Sequence, residues 1–465
     1  DIERREQMPK AKRIIRKLTN YLPTAEIFQR LPREEFPFFL DSSLINNLGR
    51  YSIIAGKAYL TLEKYHDKFY INHQEENAIS FEDYLRNYLD SHRESNSTDL
   101  PILSGAIGYF SYEYGRKLME ISSHKRDLTT IPDAMLSFFD LFIIEDCPKK
   151  EIYLIANGIT TSAQELLNQA EKYIYGMAYS GNTQIHSTVS QQRPLDVFAH
   201  YEKEDYENAV QSIINYIIEG DIYIANMTQQ LIIRSDKNPE DVFYHLRDNN
   251  PSPFGGYLDL GDFQIICASP ERFLKLENNQ VETRPIKGTR KRGDNQETDN
   301  LMRQELVNSE KDKSELLMIV DLERNDLNRV CRAGTVKVTE LFQIEEYATV
   351  FHMVSTIQGE LISGKNFVDI LEAGFPGGSI TGAPKYRAME IIDEIEPCRR
   401  NIYTGSLGYL SLDGSCDFNI IIRTALHKEE KYYLGVGGGI TAESEPDFEY
   451  EETLQKAKAV LEALK

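Results

Sequence analysis

The chain has 465 residues and a formal net charge of −21 at pH 7, with 41% hydrophobic and 27% charged residues. This composition predicts a soluble globular protein, and the negative charge argues against a nucleic-acid partner because a polyanion would be repelled. No run of about eighteen apolar residues is present, so no membrane helix is predicted, and the first residues do not have the pattern of a signal peptide.

The cysteines are dispersed along the chain. They are Cys147, Cys267, Cys331, Cys398 and Cys416. None of them forms a C-x-x-C pair, and an odd, scattered set is typical of reduced thiols rather than of a disulfide framework. We therefore expect a cytoplasmic protein.

Short apolar runs alternate with amphipathic segments along the chain. Residues 1–35 are polar and have a helical period, and Ser180–Pro194, rich in Ser, Thr, Gln and Asn, is the best linker candidate between an amino-terminal region, 1–190, and a carboxy-terminal region, 200–465. Helices are predicted at Thr161–Tyr179 and Lys203–Glu219, and strands at Arg50–Gly56, Ala58–Leu62, Ala106–Tyr112, Leu136–Ile144, Glu151–Ala156, Ile222–Asn226, Gln229–Arg234, Gly255–Asp259, Gln264–Ala268, Leu407–Leu412 and Asp417–Thr424. Because the strands are many and hairpin-like, the pattern favours an α+β fold with antiparallel sheets over a doubly wound parallel fold.

Lys287 lies in a Pro-Ile-Lys-Gly turn that follows a strand-like segment, Phe273–Val281. Proline fixes φ and glycine permits close backbone approach, so this turn could hold the lysine rigidly against a ligand. Three cationic residues follow at 290–292, and like charges depress the pKa of a lysine, which a nucleophilic lysine needs. A basic surface turn is the alternative interpretation of this segment alone.

Two groups of carboxylates have metal-binding character. In the helix predicted at 308–326, Glu315 shares a face with Met318, Ile319 and Leu322, and a carboxylate on an apolar stripe is costly unless it is paired or bound to a metal. Near the carboxy terminus, Glu449 and Glu452 lie three residues apart on one face of a helix predicted to start at Ser444–Asp447 and to run to Leu464. Such oxygen ligands suit Mg²⁺. A salt bridge for Glu315 and helix-dipole complementation for the terminal acids are the alternatives.

Two glycine-rich segments complete the set of motifs. Consecutive glycines in Leu434–Thr441 expose backbone N–H groups that can cradle a carboxylate or phosphate, although a plain glycine turn would have the same composition. This run does not have the dinucleotide-binding spacing. Residues 373–387 lack the Gly-Lys-Ser/Thr order of a P-loop, and they read as a rigid loop that leads into a helix at Ala388–Ile395.

Each signal is weak alone, but their order along the chain is specific. Four segments closely resemble the chorismate-utilising enzymes, which include component I of anthranilate synthase, component I of aminodeoxychorismate synthase, and the isochorismate and salicylate synthases. These segments are Pro-Ile-Lys-Gly-Thr-Arg at 285–290, Lys-Ser-Glu-Leu-Leu-Met-Ile-Val-Asp-Leu-Glu-Arg-Asn-Asp at 313–326, Phe-Pro-Gly-Gly-Ser-Ile-Thr-Gly-Ala-Pro-Lys at 375–385 and Gly-Gly-Gly-Ile-Thr-Ala-Glu-Ser at 437–444. The resemblance is strong over 200–465 and weaker before it. It implies an intertwined, two-lobed α+β unit in which large antiparallel sheets pack together with helices outside.

The resemblance also implies a site. Its residues are Glu315 and Glu452 as Mg²⁺ ligands with Glu449 close by, Arg423, Tyr403 and the backbone amides of Gly437 and Gly439 around the enolpyruvyl carboxylate of chorismate, and His352 and Thr289 beside the ring. Glu271 would be the general acid that protonates the departing 4-hydroxyl group. Lys287 would attack C2 and displace this hydroxyl, after which ammonia would enter at C4 and expel the lysine.

The residue at 287 separates the activities of the family. Anthranilate synthases are similar here but have Ala, whereas aminodeoxychorismate synthases typically have Lys. Isochorismate and salicylate synthases carry a catalytic lysine at a position that aligns with Ile224, where most aminating members have Gln. Ile224 therefore leaves no base for the addition of water.

The resemblance implies amination of chorismate to 4-amino-4-deoxychorismate for 4-aminobenzoate and folate biosynthesis. Anthranilate synthesis and a non-catalytic acidic interaction protein remain as alternatives.

The source of ammonia is the last expectation from the sequence. A triad-type glutaminase needs its cysteine on a tight elbow, usually Gly-x-Cys-x-Gly, and none of the five cysteines has this context. We therefore expect a separate glutaminase subunit as partner, with free ammonia as a substitute for glutamine at high pH.

Overall fold

Long antiparallel strands from both halves of the chain form the framework of the molecule. The structure, a computed structural model, describes residues 12–176, 195–347 and 350–465. Its helices are α1 Thr24–Arg30, α2 Phe81–Ser91, α3 Tyr112–Leu118, α4 Ala163–Tyr175, α5 Lys203–Glu219, α6 Pro239–Asn249, α7 Gln296–Val307, α8 Glu310–Asn328, α9 Phe367–Gly374, α10 Lys385–Ile395 and α11 Pro446–Ala463. Its strands are β1 Ile14–Lys17, β2 Phe38–Asp41, β3 Tyr51–Tyr65, β4 Lys68–Ile71, β5 Gln74–Glu76, β6 Gly105–Phe110, β7 Ala134–Asp146, β8 Glu151–Ala156, β9 Asp196–Ala199, β10 Ile224–Arg234, β11 Phe254–Asp259, β12 Gln264–Ser269, β13 Arg272–Glu277, β14 Gln280–Arg284, β15 Ile286–Lys291, β16 Lys337–Glu346, β17 Val350–Glu360, β18 Gly382–Ala383, β19 Ser406–Ser411, β20 Cys416–Asn419, β21 Thr424–Lys428 and β22 Lys431–Ile440.

Two large sheets start from the central pair β3 and β7, which runs from Tyr51 opposite Asp146 to Lys64 opposite Ala134. One sheet continues from β3 through β2, β11, β12, β21 and β22 to β10. The other continues from β7 through β6, β19, β20, β13 and β14 to β17, which also pairs with β15 and β16. All of these pairings are antiparallel, and each sheet contains strands from both ends of the chain. The predicted intertwined α+β fold is confirmed.

Among the described residues, three of the four apolar clusters of the core follow the layers of the fold. Strand residues of both sheets, such as Phe38, Phe139 and Ile265, fill the space between the sheets without any helix. On the outer face of one sheet, α1, α4, α6 and α11 cover a second cluster, and on the outer face of the other, α2, α8, α9 and α10 cover a third. Helices therefore lie outside the packed sheets, as predicted. In the described part of the chain, none of the helices has the length and apolar character needed to cross a membrane.

Several predicted elements have the bounds that their local pattern indicates. α5 and β8 match the prediction, and the strand pairs predicted at 50–62 and 222–234 are each one strand, β3 and β10.

The helical character predicted for residues 1–35 is wrong in the described part, because Ile14–Lys17 pairs with β8 as a strand and helix α1 spans only Thr24–Arg30. A short polar helix lacks the packing that stabilises it, whereas β8 offers a hydrogen-bonded partner. Ser180–Pro194 and the end of the predicted helix Thr161–Tyr179 lie outside the described residues.

Three predicted strands end early because the chain turns. The segment Phe273–Val281 is a hairpin of β13 and β14, with a turn at Asn278 and Asn279 where both φ angles are positive, a conformation that asparagine tolerates. The strand predicted at Ala106–Tyr112 ends at Phe110, and α3 follows it. The strand predicted at Asp417–Thr424 ends at Asn419, so the residues up to β21 form a turn rather than a ladder.

A fully buried ion pair links α10 to β10. The side chains of Arg400 and Glu396 are 2% and 5% exposed and lie 2.7 Å apart. Arg400 also donates to the carbonyl oxygen of Asn226, while a Glu396 oxygen accepts from the backbone N–H of Thr228 at 2.9 Å. The pair therefore holds β10 against the turn that precedes Tyr403.

Replacing Glu396 by Gln is expected to lower the free energy of unfolding by about 3–5 kcal/mol, because Arg400 would keep its charge in the interior without a counter-ion. Equilibrium urea unfolding measures this difference. Glu394→Gln, at an exposed position in the last turn of α10, is the control and should change the stability by less than about 0.5 kcal/mol. Equal effects of the two substitutions would contradict a structural role for the buried pair.

Candidate active site

Lys287 lies in a bulge rather than in a turn. β15 pairs with β17 at Ile286 and at Thr289, and the register shifts between these two positions. Gly288 permits the bulge, since its φ is +79° and a Cβ there would come within 2.8 Å of the Asp312 side chain. The bulge re-aims Lys287, whose Nζ donates a hydrogen bond to the Ser379 carbonyl oxygen at 3.0 Å.

The predicted cationic surroundings of Lys287 are wrong. Arg290 forms ion pairs with Glu305 and Asp312 at 2.7 and 3.1 Å, and Arg292 is paired with Asp299. Both guanidinium groups are therefore neutralised by acids of α7 and α8. Carboxylates lie near Lys287 instead. They are those of Glu271, Glu315 and Glu452, and the positive charge of Lys287 acts to lower the pKa of each.

The end of β22 brings the predicted residues together. A Cβ placed on Gly439 would lie 3.3 Å from Nζ of Lys287, 3.4 Å from Cδ1 of Ile224 and 3.5 Å from an oxygen of Glu315. One residue earlier, a Cβ on Gly438 would lie 3.3 Å from a Glu449 oxygen. Any side chain at 439 would therefore fill the cleft, which is the space around which Lys287, Ile224 and Glu315 converge, and glycine keeps this space open.

The amides of Gly437 and Gly439 point away from β10, as the strand register shows. These glycines lie opposite Thr228 and Asn226 of β10. The N–H groups of both β10 residues point away from β22, toward Glu396 and Thr381 respectively. In an antiparallel ladder, residues opposite such positions also direct their own N–H away from the partner strand. β21 pairs with β22 only up to Leu434, so no described strand covers this edge beyond it.

Arg423 and Tyr403 lie along the same open edge. Arg423, with φ of +51°, occupies the turn before β21 and makes no side-chain hydrogen bond or ion pair with any residue that the structure describes. Arg423 is exposed, yet desolvation by neighbouring groups lowers the pKa of its guanidinium against the opposing effect of Glu271. The Tyr403 ring packs directly on Gly435, where a Cβ would come within 2.1 Å. A guanidinium without a partner beside free amides is suited to a carboxylate.

Glu271 is buried in the turn between β12 and β13. Burial raises the pKa of this carboxyl, while a hydrogen bond from Ser379 and the charge of Lys287 oppose the rise. The backbone N–H of Ile286 points at one carboxyl oxygen at 3.4 Å. A carboxyl group with a raised pKa next to an amine has the properties of a general acid.

Thr289 and His352 lie opposite each other in the ladder of β15 and β17. The Thr289 hydroxyl and Nδ1 of His352 lie 2.8 Å apart, and the Tyr347 ring meets the imidazole edge-on at 5.2 Å. Burial, together with the charge of Arg423, lowers the pKa of His352 to about 3. The imidazole is therefore neutral at physiological pH and can only donate or accept a hydrogen bond.

Glu315, Glu449 and Glu452 gather around Gly438 and Gly439. Burial raises the pKa of Glu315 and of Glu449, and the charge of Glu452 contributes to the rise at Glu449. Burial is the largest influence on Glu452 and would raise its pKa, but Lys456, Lys311 and Lys287 together outweigh it and lower the pKa of Glu452. Lys456 lies 2.6 Å from Glu452 and also donates to the carbonyl oxygen of Gly437, while Lys311 lies 3.7 Å from Glu449.

These carboxylates fit a hard divalent cation by their chemistry. All donors are oxygens, and the burial that raises the pKa of Glu315 and of Glu449 makes their charged forms costly unless a cation compensates them. The side chains of the described residues do not, however, form a preassembled group of three metal ligands. Lys456 neutralises Glu452, so binding of a cation by all three carboxylates requires this ammonium group to move.

The sequence does not indicate three residues near the site. Ser379 accepts a hydrogen bond from Lys287 through its carbonyl oxygen and bonds to Glu271 through its hydroxyl, whereas the sequence predicts only a rigid loop there. Lys456 follows Glu452 by one helical turn, and this i,i+4 spacing could have indicated the pair. Glu323 lies behind Glu271, and no local signal distinguishes it from an exposed helical glutamate.

Comparison with known proteins defines the class. A sequence model of the chorismate binding enzyme family matches residues 47–462, and the chain belongs to this family. It is therefore a chorismate-utilising enzyme. Anthranilate synthase component 1 of Acetivibrio thermocellus is 35% identical over 453 residues, which cover 94% of this chain and 92% of the relative. Aminodeoxychorismate synthase component 1 of Bacillus subtilis (strain 168) is 37% identical over 421 residues, or 90% of this chain and 89% of the relative.

The solved structures agree with the fold. The crystal structure of anthranilate synthase component I from Streptococcus pneumoniae TIGR4 matches with a TM-score of 0.80 at 30% identity, covering 90% of this chain and 93% of that chain. The relatives named as aminodeoxychorismate synthase and as anthranilate synthase are about equally similar to this chain. Overall sequence identity therefore does not distinguish between these two activities.

Proposed function

We propose that this chain is the chorismate-converting component of an aminodeoxychorismate synthase, which replaces the 4-hydroxyl group of chorismate by an amino group for 4-aminobenzoate and folate biosynthesis. The observation that carries the proposal is the position of Lys287, whose Nζ lies next to Gly439, Ile224 and Glu315 at the centre of the cleft. An amine in this position can form a covalent intermediate with the ring.

Glu271 and Lys287 can carry out the proposed amination in two steps, with Glu271 moving the proton. Glu271 accepts a proton from the Lys287 ammonium group, and the free amine attacks C2 while the C4–O bond breaks. The same carboxyl returns the proton to the departing hydroxyl, which leaves as water. Ammonia then bonds to C4, the C2–N bond to Lys287 breaks, and the surplus proton of the new amine passes to Glu271 or to Lys287. The enolpyruvyl group stays attached throughout.

The other residues bind and orient the substrate. Arg423 and the amides of Gly437 and Gly439 are available for the enolpyruvyl carboxylate, with Tyr403 beside them, and His352 and Thr289 border the ring. Glu315, Glu452 and the neighbouring Glu449 would hold Mg²⁺, which would neutralise the ring carboxylate. Ile224 presents only an apolar side chain, so this wall offers no base to activate water.

Anthranilate formation is the second candidate, because relatives named as anthranilate synthase are about as similar to this chain. One assay separates the two. Purified protein is incubated with chorismate, Mg²⁺ and an ammonium salt, and the products are resolved by chromatography and mass spectrometry. We expect 4-amino-4-deoxychorismate with its enolpyruvyl group intact. Anthranilate together with pyruvate would support the second candidate instead, and failure to consume chorismate would contradict both.

With glutamine as the nitrogen source, this chain alone is expected to be inactive. All five cysteines are buried, and burial is the largest influence on each thiol with a shifted pKa, raising it and so opposing the thiolate form that a glutaminase needs. The assay compares glutamine, an ammonium salt at about pH 8.5, and glutamine with an added triad-type glutaminase. Activity should appear in the last two conditions. Glutamine-dependent turnover by the lone chain would refute the two-component proposal.

A further inference from the structure

Glu323 is a buried carboxyl group that the proposed chemistry does not use. It lies on α8, two turns beyond Glu315, and its side chain is enclosed by β14 and by the loop before β18. Its oxygen lies 2.9 Å from the hydroxyl of Thr283, and a Cβ on Gly378 would come within 3.3 Å of its Cγ. A buried carboxylate without a cationic partner is costly, so the protonation state of Glu323 needs an explanation.

The hydrogen bonds around Thr283 indicate that Glu323 carries a proton. The Thr283 hydroxyl lies 2.8 Å from the Phe273 carbonyl oxygen as well as 2.9 Å from Glu323, but it has only one hydrogen to donate. Phe273 occupies a bulge of β13, and the ladders to β14 and to β20 both skip it. Its carbonyl can only accept, so the hydroxyl of Thr283 is its donor. The bond between Thr283 and Glu323 then requires a proton on Glu323.

Burial and the charges near Glu323 also favour its protonated form. Burial raises the pKa of Glu323 to about 8, the negative charges of Glu271 and Asp326 add to this rise, and the positive charge of Lys385 opposes it. Lys385 is not free to pair with Glu323, because its Nζ lies 2.6 Å from Asp326 and also donates to the carbonyl oxygen of Gly374. The nearest cation is thus already neutralised.

Glu323 supports the segment that positions the reacting groups. Gly378 packs on its side chain, and the next residue, Ser379, accepts the hydrogen bond of Lys287 and bonds to Glu271. Ionisation of Glu323 would place a negative charge against this backbone and close to Glu271. It would also turn the Thr283 hydroxyl toward Glu323 and leave the Phe273 carbonyl, two residues after Glu271, without its donor.

We propose that Glu323 is a positioning residue that holds a proton at neutral pH and, in this neutral form, keeps Ser379 in the place where it supports Lys287 and Glu271. Loss of this proton in alkaline solution disturbs the support and lowers activity. The link to activity rests on the proposed function, whereas the protonation of Glu323 does not.

Infrared spectroscopy tests the proton directly. In difference spectra of the purified protein between pH 6.5 and 9.5, we expect the carbonyl stretch of a protonated carboxylic acid to disappear as the pH rises through about 8. The band should be absent from Glu323→Gln. In Thr283→Val it should move to higher wavenumber, because the acid no longer donates a hydrogen bond. Absence of a Glu323-dependent band, or a band that Thr283→Val leaves in place, would overturn the assignment.

The pH profile tests the positioning role. Chorismate consumption is measured over the same pH range with the concentration of free ammonia held constant, whichever product forms. The wild type should lose activity about tenfold per pH unit above about pH 8, whereas Glu323→Gln, a neutral isostere, should keep neutral-pH activity within about threefold and lose this alkaline limb. Glu310→Gln, 86% exposed on the same helix, should retain the wild-type profile. An unchanged limb in Glu323→Gln would refute the role even if the infrared band is present.

Discussion

Lys287→Ala is expected to reduce formation of 4-amino-4-deoxychorismate at least about a hundredfold, the scale on which one positioned catalytic group contributes. The covalent route loses its intermediate without the amine. The fold should persist, because Lys287 lies in a bulge and its side chain makes, with the residues that the structure describes, a single hydrogen bond, to Ser379. The measurement is steady-state turnover of chorismate with saturating ammonium salt and Mg²⁺.

A matched variant separates the amine from the general charge of the strand. Lys291→Ala removes an exposed ammonium group at the end of the same strand and should keep turnover within about twofold. Circular dichroism and a Mg²⁺ titration of both variants confirm that the fold and the metal response are intact. If Lys287→Ala keeps more than about a tenth of wild-type turnover, covalent catalysis by this residue is wrong, although direct attack by ammonia on C4 would still be possible.

Glu315→Gln and Glu452→Gln are each expected to lower Mg²⁺-dependent activity by about two orders of magnitude, and EDTA should abolish wild-type activity. The physical reason is that a neutral amide is a far weaker ligand for a hard cation than a carboxylate. The measurement is chorismate turnover as a function of Mg²⁺ concentration. A variant that has lost a ligand should need much more metal for half-maximal rate, beyond any change in its maximal rate.

Glu451 provides the control for the metal site. It lies next to Glu452 in sequence, but its side chain is 52% exposed and forms an ion pair with Lys203. Glu451→Gln should therefore be nearly neutral. Equal damage from this substitution would show that the overall acidity of the cluster, rather than a defined set of ligands, explains the metal dependence.

Local sequence determined the elements whose stability is local. The helix α5 has its predicted bounds because a 3.6-residue apolar period defines its buried face and Gly220, with φ of +88°, ends it in the left-handed conformation. The α+β class followed in the same way from many short alternating strands. The order of four motifs, each short and weak alone, was enough to indicate the family, and the family model confirms it.

Tertiary pairing decided how the candidate site residues are presented. Lys287 points into the cleft because β15 bulges against β17, and the amides of Gly437 and Gly439 are free because β21 stops pairing at Leu434. Arg423 is available because a predicted strand becomes a turn. Each of these outcomes depends on a partner strand far away in the sequence, and hydrogen bonds between distant strands leave no periodic signal in either one.

The same reason explains the charges that were predicted wrongly. From the sequence, the residues closest to Lys287 were the cations at 290–292, but the fold pairs both arginines among them with acids of α7 and α8. Carboxylates from three separate segments surround the lysine instead. The sequence thus determined which chemical groups the protein has and in what order, while the tertiary structure decided which of them meet, because desolvation and charge act through space rather than along the chain.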